Sequence, residues 1–331
     1  TEICDLLRSA KSAAANGGST ASTEEFAAAW RQQLHPLASW QMPSVESSHK
    51  DGFLGYFSKP TGGAPEPVDA SLTQSGGKWK TCAVIGASAN LLKTKYGSDI
   101  DTMFQTVVRV NQSPANVLYA PYVGTKTTLR VLNARWMEHY TDPHLVKKLD
   151  LPLEPNVTLL AVVTAGSAAA VEKTSALDVQ MERRRDLRVK VAALNPKWIA
   201  SAKSALGIYK QCLRKAGATP FQGGDTPSAG MAAIYMLKHA CGHLTVYGFG
   251  SHKTPGTGPD TKEDLKEDAG IYYSGHGSDL KEKSDERSPH SFGLEQALIK
   301  AMAADSQITL CGVHGCRRGR AFYRDVITEP P

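Results

Sequence analysis

From Thr81 onward, short β-branched apolar runs alternate with stretches of helical spacing, and this alternation constrains the fold more than any other feature. The candidate strands are Cys82–Gly86, Thr106–Val110, Thr127–Asn133, Val157–Thr164, Arg188–Leu194, Leu244–Gly248 and Ile308–Cys311. Helices are expected near Ser98–Phe104, Ala168–Arg185, Pro196–Ala216, Ser228–His239 and Ser291–Ala304. The strand runs are almost continuously apolar, so each strand is covered on both faces. Strands of that kind, separated by helices, form a largely parallel sheet in an α/β fold. With 331 residues, 41% of them hydrophobic, the chain is long enough for one large α/β domain or two smaller ones.

Residues 1–79 read as an accessory segment before a main domain over 80–331. Ser22 and Glu25 have capping-box spacing, and Phe26, Trp30 and Leu34 follow on one helical face. Lys59 to Asp69 is rich in Pro and Gly and reads as a linker. Ser251–Pro289 is highly charged, with little periodicity, and is expected to be a mobile lid. No apolar run reaches the roughly 18–20 residues of a membrane span. The net charge of +6 suits an anionic small ligand as well as nucleic acid. Residue 1 is Thr rather than Met, and neither a basic nor an apolar leader follows it. The six cysteines show no CxxC pattern, which leaves both disulfides and free buried thiols open. Asn156-Val157-Thr158 is a glycosylation sequon.

Ligands of open α/β sheets sit at the carboxyl ends of the strands. Gly86 to Asn90 follows the first candidate strand and offers Ser88 and Asn90 as hydrogen-bonding groups, but it is not GxGxxG. Gly124-Thr125-Lys126-Thr127 superficially suggests a P-loop, yet the required order is absent. Thr226 to Gly230 precedes an apolar helix and is first of all an N-cap, although free N–H groups at a helix start also bind phosphate. Asp99-Ile100-Asp101 spells DxD, a metal-holding pattern that helix capping explains equally well. His239 and His243 lie four apart without HExxH and read as non-metal. The basic run Arg183 to Arg188 lacks the aromatic interleaving of nucleic-acid sites. His290 opens a helix beside the charged loop. Imidazole is the side chain best suited to proton transfer near neutral pH, which makes this residue a candidate base.

Together these segments resemble the eukaryotic sialyltransferases. A large motif is carried by Cys82, Gly86, Ser88 and Asn90, then Gly97, Ile100 and Asp101, then Arg109-Val110-Asn111, then Val123 to Thr128. A small motif is carried by Pro227, Ser228, Gly230 and Met231, then Cys241 and Val246 to Phe249. A third is reduced to Tyr272-Tyr273, and a very small one is His290 with Glu295 five residues on. They occur in the family's order over roughly residues 80–300.

The resemblance implies a GT-A-like variant, a seven-stranded, mostly parallel sheet in an α/β/α sandwich. It implies inverting, metal-independent transfer of sialic acid from CMP-sialic acid to a glycan hydroxyl, with no cofactor. His290 would be the base. Ser88, Asn90, Asn111, Asn133, Ser228, Ala229, Gly230 and Tyr273 would hold the donor. Cys82 and Cys241 would form a disulfide, with Cys311–Cys316 a further pairing suggested by proximity. Family members are Golgi enzymes with one N-terminal membrane anchor, which would precede this sequence. The family usually has Asn or Ser at Ala87, Gly at Ala89, Ser or Thr at Ala229, and His at Ile271. These departures keep CMP-Kdo or a related ulosonate open as donor. A catalytically idle CMP- or glycan-binding protein is another class, and a nucleic-acid binder a third. Turnover is expected to persist in EDTA; complete loss restored by manganese would make Asp99 and Asp101 metal ligands.

Overall fold

The computed structural model describes residues 57–58, 79–162, 168–184, 187–194, 196–215, 223–249, 289–303, 308–313 and 315–318. The helix expected over Ser22 to Leu34, the linker, Cys4, the tyrosine pair Tyr272-Tyr273 and the charged segment as far as residue 288 lie outside them.

Among the described residues nine strands form one sheet: β1 Phe57–Ser58, β2 Trp79–Ile85, β3 Thr106–Val110, β4 Leu129–Leu132, β5 Thr158–Val162, β6 Lys190–Leu194, β7 Cys241–Tyr247, β8 Ile308–Gly312 and β9 Gly315–Arg318. Their spatial order is β1-β6-β5-β4-β3-β2-β7-β8-β9. The seven strands β2 to β8 are mutually parallel and are the seven read from the sequence. The two added strands, β1 and β9, are short antiparallel edges. They were missed because two to four residues carry no readable period. The pairing of β1 with β6 brings residues from the accessory segment into the sheet, and β2 begins at Trp79.

Helices α1 Gly97–Met103, α2 Ala120–Val123, α3 Ala134–Thr141, α4 Pro143–Lys148, α5 Ala168–Glu182, α6 Pro196–Lys215, α7 Ala229–Ala240 and α8 Phe292–Ala303 fill the crossovers, with a 3-10 turn at Ala89–Lys93. The 3-10 turn, α2, α3 and α4 were not anticipated. Each is at most eight residues long, too short for periodicity to register. Their signals are local: Asn133 caps α3, and Asp142 caps α4 ahead of Pro143. The helices α6, α7 and α8 cover one sheet face, packing Ile199, Leu206, Ile234, Leu237, Leu298 and Ile299 on Val84, Val108, Val131 and Val246. The other face is covered by α3 and α5 through Trp136, Met137, Leu177 and Met181, and by α1 and α2 through Ile100 and Val123. The result is the α/β/α sandwich expected from the strand pattern. None of the described helices is long and apolar enough to cross a membrane.

Two disulfides join pairs of described cysteines. Cys82 in β2 and Cys241 at the start of β7 are bonded with Cα atoms 6.2 Å apart at a sequence separation of 159, and both are buried. Cys311 and Cys316 face each other across the β8–β9 pair and are also bonded. Closing so long a loop restricts the unfolded chain, so replacing both Cys82 and Cys241 by Ser is expected to cost about 2–5 kcal/mol of stability. Urea denaturation of the double variant against wild type measures it; an unchanged midpoint would show that the bond contributes nothing.

Candidate active site

Strand order reverses at β2: strands β3 to β6 lie on one side and β7 and β8 on the other. The crevice at the carboxyl ends of β2 and β7 is therefore the place where a ligand of an open α/β sheet is expected. Gly86 closes β2 by donating its N–H to Tyr247 O at 2.8 Å. A Cβ at Gly86 would lie 2.4 Å from Gly248 O, so no side chain fits there. Ser88 caps the 3-10 turn by accepting from the Asn90 N–H at 3.3 Å. The Phe249 ring lies against Gly86 on one side and Gly230 on the other; a Cβ at Gly230 would be 2.5 Å from it. These two glycines thus allow the loop after β2 and the start of α7 to meet.

Asn111 and Asn133 follow β3 and β4 and touch directly. Asn111 Oδ1 accepts from Asn133 N–H at 3.1 Å, and Asn133 Oδ1 caps α3 by accepting from Trp136 N–H. Asn111 has φ 52°, the left-handed region that Asn tolerates better than most residues. Its carbonyl is held at 2.7 Å by Arg130 Nη1, which also bonds Ser113 O at 3.0 Å. Arg130 is fully buried and pairs with Glu154, whose other partner is the Thr127 hydroxyl at 2.9 Å. Arg109, its register neighbour in β3, is fully buried too. It donates to Val123 O, Gly124 O, Lys126 O and Thr127 Oγ1. Burial pushes the Glu154 carboxyl up, but the Arg130 charge and hydrogen bond outweigh it and hold the group below its usual range. Arg130 and Glu154 were not picked out from the sequence, and Arg109 only as part of a motif. A charge inside an apolar run gives no hint of its partners until the loops close over it.

Helices α7 and α8 both begin at this edge. Ser228 is the N-cap of α7, its hydroxyl accepting from Met231 N–H at 3.2 Å. Glu295 of α8, nearly buried, receives the Ser228 N–H at 2.7 Å and the Ser228 hydroxyl at 2.6 Å. Both Ser228 donors are thereby used, and at this helix start the backbone N–H groups of Ala229 and Gly230, which have no hydrogen bond among the described residues, are the ones placed to meet an anion. Burial raises the Glu295 carboxyl above its usual value, opposed by its Ser228 bonds and by nearby His290. His290 Nδ1 lies 2.8 Å from Thr226 O. A carbonyl only accepts, so Nδ1 carries the proton, and in the neutral ring the basic lone pair is the one on Nε2. The Phe292 ring, 47% exposed, has its centroid 6.1 Å from that imidazole. Gly223 and Gly224 run against Pro289 and His290 so closely that a Cβ would meet their carbonyl oxygens at 2.1 and 2.6 Å.

The sequence candidates thus form one contact chain, from Asn133 and Asn111 to the Gly86 turn, through the Ser113 hydroxyl, and on by Phe249, Gly230 and Ser228 to Glu295 and His290. Asn90 lies in the same turn as Ser88, and Tyr273 is outside the described residues. In the DxD, Asp101 accepts from the N–H groups of Thr125 and Lys126 at 2.9 Å and from the Thr125 hydroxyl at 3.0 Å, so it organises the loop before β4. His243 bonds Thr309 Oγ1, and His239 packs between Trp198 and Tyr235. Among the described residues no cluster of three His, Cys, Asp or Glu is placed to hold a metal.

Glu295→Ala leaves a buried N–H and hydroxyl unpaired and is expected to cost about 1–3 kcal/mol. Glu295→Gln preserves the shape without the charge. Because the folded state holds the Glu295 proton more tightly than the unfolded chain, wild type should lose stability relative to Glu295→Gln as pH rises from the ordinary carboxylate value to the raised folded one. Urea melts of both proteins across that window check the sign; a constant difference would refute it.

The model of glycosyltransferase family 29 (sialyltransferase) matches residues 31–307. A chicken (Gallus gallus) CMP-N-acetylneuraminate-beta-galactosamide-alpha-2,3-sialyltransferase 1 is 29% identical over 198 residues, covering 56% of this chain and 49% of that protein. Sialyltransferase-like protein 2 of Arabidopsis thaliana is 56% identical over 52 residues, 16% of this chain and 11% of that one. The chain thus aligns with about half the length of the chicken relative and with a much smaller part of the plant one. A solved structure described as a mammalian sialyltransferase superposes with a TM-score of 0.44 at 18% identity, covering 89% of this chain and 85% of that one. With most of its length inside the family match, the chain belongs to glycosyltransferase family 29, the sialyltransferases.

Proposed function

We propose that the protein transfers sialic acid from CMP-sialic acid to a glycan hydroxyl, by inversion and without a metal, in the Golgi lumen behind an N-terminal anchor. The observation that carries the reading is that Thr226 to Gly230 serves both ends of the reaction. The Thr226 carbonyl fixes the His290 tautomer, and three residues later α7 opens at Ala229, where the N–H groups of Ala229 and Gly230 have no hydrogen bond among the described residues. A base and an anion-binding helix start are thus held on one short stretch.

In this reading the helix start at Ala229 and Gly230 receives the donor carboxylate or phosphate. Asn111, Asn133 and the Ser88–Asn90 turn hold cytidine and its phosphate, with Tyr273 near the phosphate. The CMP phosphate is a good leaving group, so positioning and one base suffice. His290 Nε2 takes the proton of the acceptor hydroxyl as oxygen attacks the anomeric carbon and the C–O bond to CMP breaks. Phe292 gives the acceptor an apolar face beside the base. Metal independence is supported by Asp101, whose oxygens are occupied by the loop it organises. The printed name of the chicken relative supports CMP-N-acetylneuraminate as donor and a β-galactosamide as acceptor.

A second donor, CMP-Kdo or a related ulosonate, is favoured by Ala229 at the start of α7, where the family's hydroxyl is missing. A screen of both donors by CMP release separates the two readings. Calorimetry with CMP against oligonucleotides separates a nucleotide-sugar site from a nucleic-acid site, and turnover separates enzyme from idle binder.

His290→Ala is expected to keep CMP affinity nearly intact while turnover falls about 10²–10⁴-fold, the usual worth of general base catalysis. Turnover and melting temperature measured on one preparation decide the matter. A stable variant within about threefold of wild type, well short of that ~10²-fold effect, removes His290 from the base role.

A further inference from the structure

The structure assigns an N-linked glycan to Asn156 and withholds one from Asn111, an inference that rests on the secretory-pathway location proposed above. The chain carries two Asn-x-Ser/Thr triplets free of Pro at the middle position, Asn111-Gln112-Ser113 and Asn156-Val157-Thr158. The fold separates them. Asn156 is exposed, in a turn just before β5, and its backbone has φ 59°. Its N–H is bonded to Leu187 O at 2.8 Å, which fixes the backbone while the side-chain amide has no hydrogen bond among the described residues. The turn sits at the amino end of β5, so it lies at the sheet edge opposite Asn111, Asn133 and His290. A large hydrophilic group there projects away from the crevice.

Asn111 is the reverse case. Its Oδ1 is bonded to Asn133 N–H, its carbonyl is held by Arg130, and Ser113 is fully buried with its hydroxyl 2.7 Å from Val110 O. Pro114 follows directly, stiffening the segment that a glycosylating enzyme must bend into its site. A glycan at Asn111 would also fill the crevice itself.

The bond formed joins Asn156 Nδ2 to the reducing-end C1 of an oligosaccharide. The C1–O bond to a lipid diphosphate breaks, the diphosphate leaves with the electron pair, and the Nδ2 proton passes to the transferase that carries out the step. That transferase must engage the hydroxyl at +2. Thr158 is 6% exposed and starts β5, paired with Leu129 and Lys190 on either side. Modification therefore precedes docking of β5, while the chain is still entering the lumen; Asn111 meets the same enzyme unfolded, so it is the adjoining Pro114 that disfavours transfer there, and a chain modified at Asn111 could not close the Asn111–Asn133 contact on folding.

The test expresses the full chain behind a cleavable secretion signal in eukaryotic cells and treats it with peptide-N-glycosidase. One mobility step is expected, with conversion of Asn156 to Asp in the peptide map and Asn111 unchanged. Asn156→Gln should abolish the step. Thr158→Val should do the same while keeping a β-branched residue in the strand. CMP release from the donor should stay within about twofold of wild type in Asn156→Gln, because the turn is remote from the crevice. No step in wild type, a step that survives both variants, or a glycan at Asn111 overturns the inference. CMP release is read on the same protein. A glycan without turnover would refute the proposed function alone, and turnover without a glycan would refute this inference alone.

Discussion

The arrangement of the crevice depends on β2 and β7 lying side by side at the centre of the sheet. They are far apart in sequence, and the pairing costs a large loop-closure entropy that local contacts cannot offset. The Cys82–Cys241 disulfide spans these two strands inside the core, with registered pairs from Trp79–Cys241 to Ile85–Tyr247. At their carboxyl ends Gly86 bonds Tyr247, and the absence of a Cβ allows the two loops to cross. A strand inserted between them would move the Ser88 turn away from the start of α7, and the crevice would not exist.

A second constraint keeps the neighbouring loops in place. Arg109 and Arg130 are buried side by side in β3 and β4, a costly position unless every charge is matched. Arg109 directs Nε and Nη2 to carbonyls of the loop before β4 and to the Thr127 hydroxyl. Arg130 divides its own between Glu154 and the carbonyls of Asn111 and Ser113. The network therefore works as a bracket between the two sheet edges. It holds Asn111 in a left-handed backbone conformation that would otherwise be unfavourable, and so sets where Asn111 meets Asn133.

The third is the clasp between Glu295 and Ser228. Helices α7 and α8 pack on the same sheet face, and packing alone leaves them free to slide by part of a turn. Two hydrogen bonds from one residue to one carboxylate remove that freedom at the end where it matters. The carboxylate lies at the start of α7, where the helix dipole favours negative charge and offsets part of the desolvation that raises its pKa. His290 sits at the N-terminal end of α8, so the same clasp fixes the distance from the base to the helix start.

The parallel α/β/α layering was legible because it depends on local apolar runs, and all seven parallel strands follow them. Ser228 as an N-cap was legible for the same local reason, the ordered motifs carried Asn111 and His290, and the family resemblance they make added Asn133. The sequence by itself thus determined the layers and the start of α7, and it named candidate groups that the fold brings to the crevice. Three things were decided only by tertiary structure. One is the order of the strands, which puts Cys82 beside Cys241. Another is the Arg130–Glu154 bracket, whose members nothing in the sequence singles out. The last is the use of Ser228: its hydroxyl and N–H, free to bind a ligand on paper, are taken by a carboxylate 67 residues away. The physical reason is common to all three. Hydrophobic period and capping act over a few residues and are written locally, whereas the partner of a buried polar group is chosen by whichever distant segment the fold brings to it.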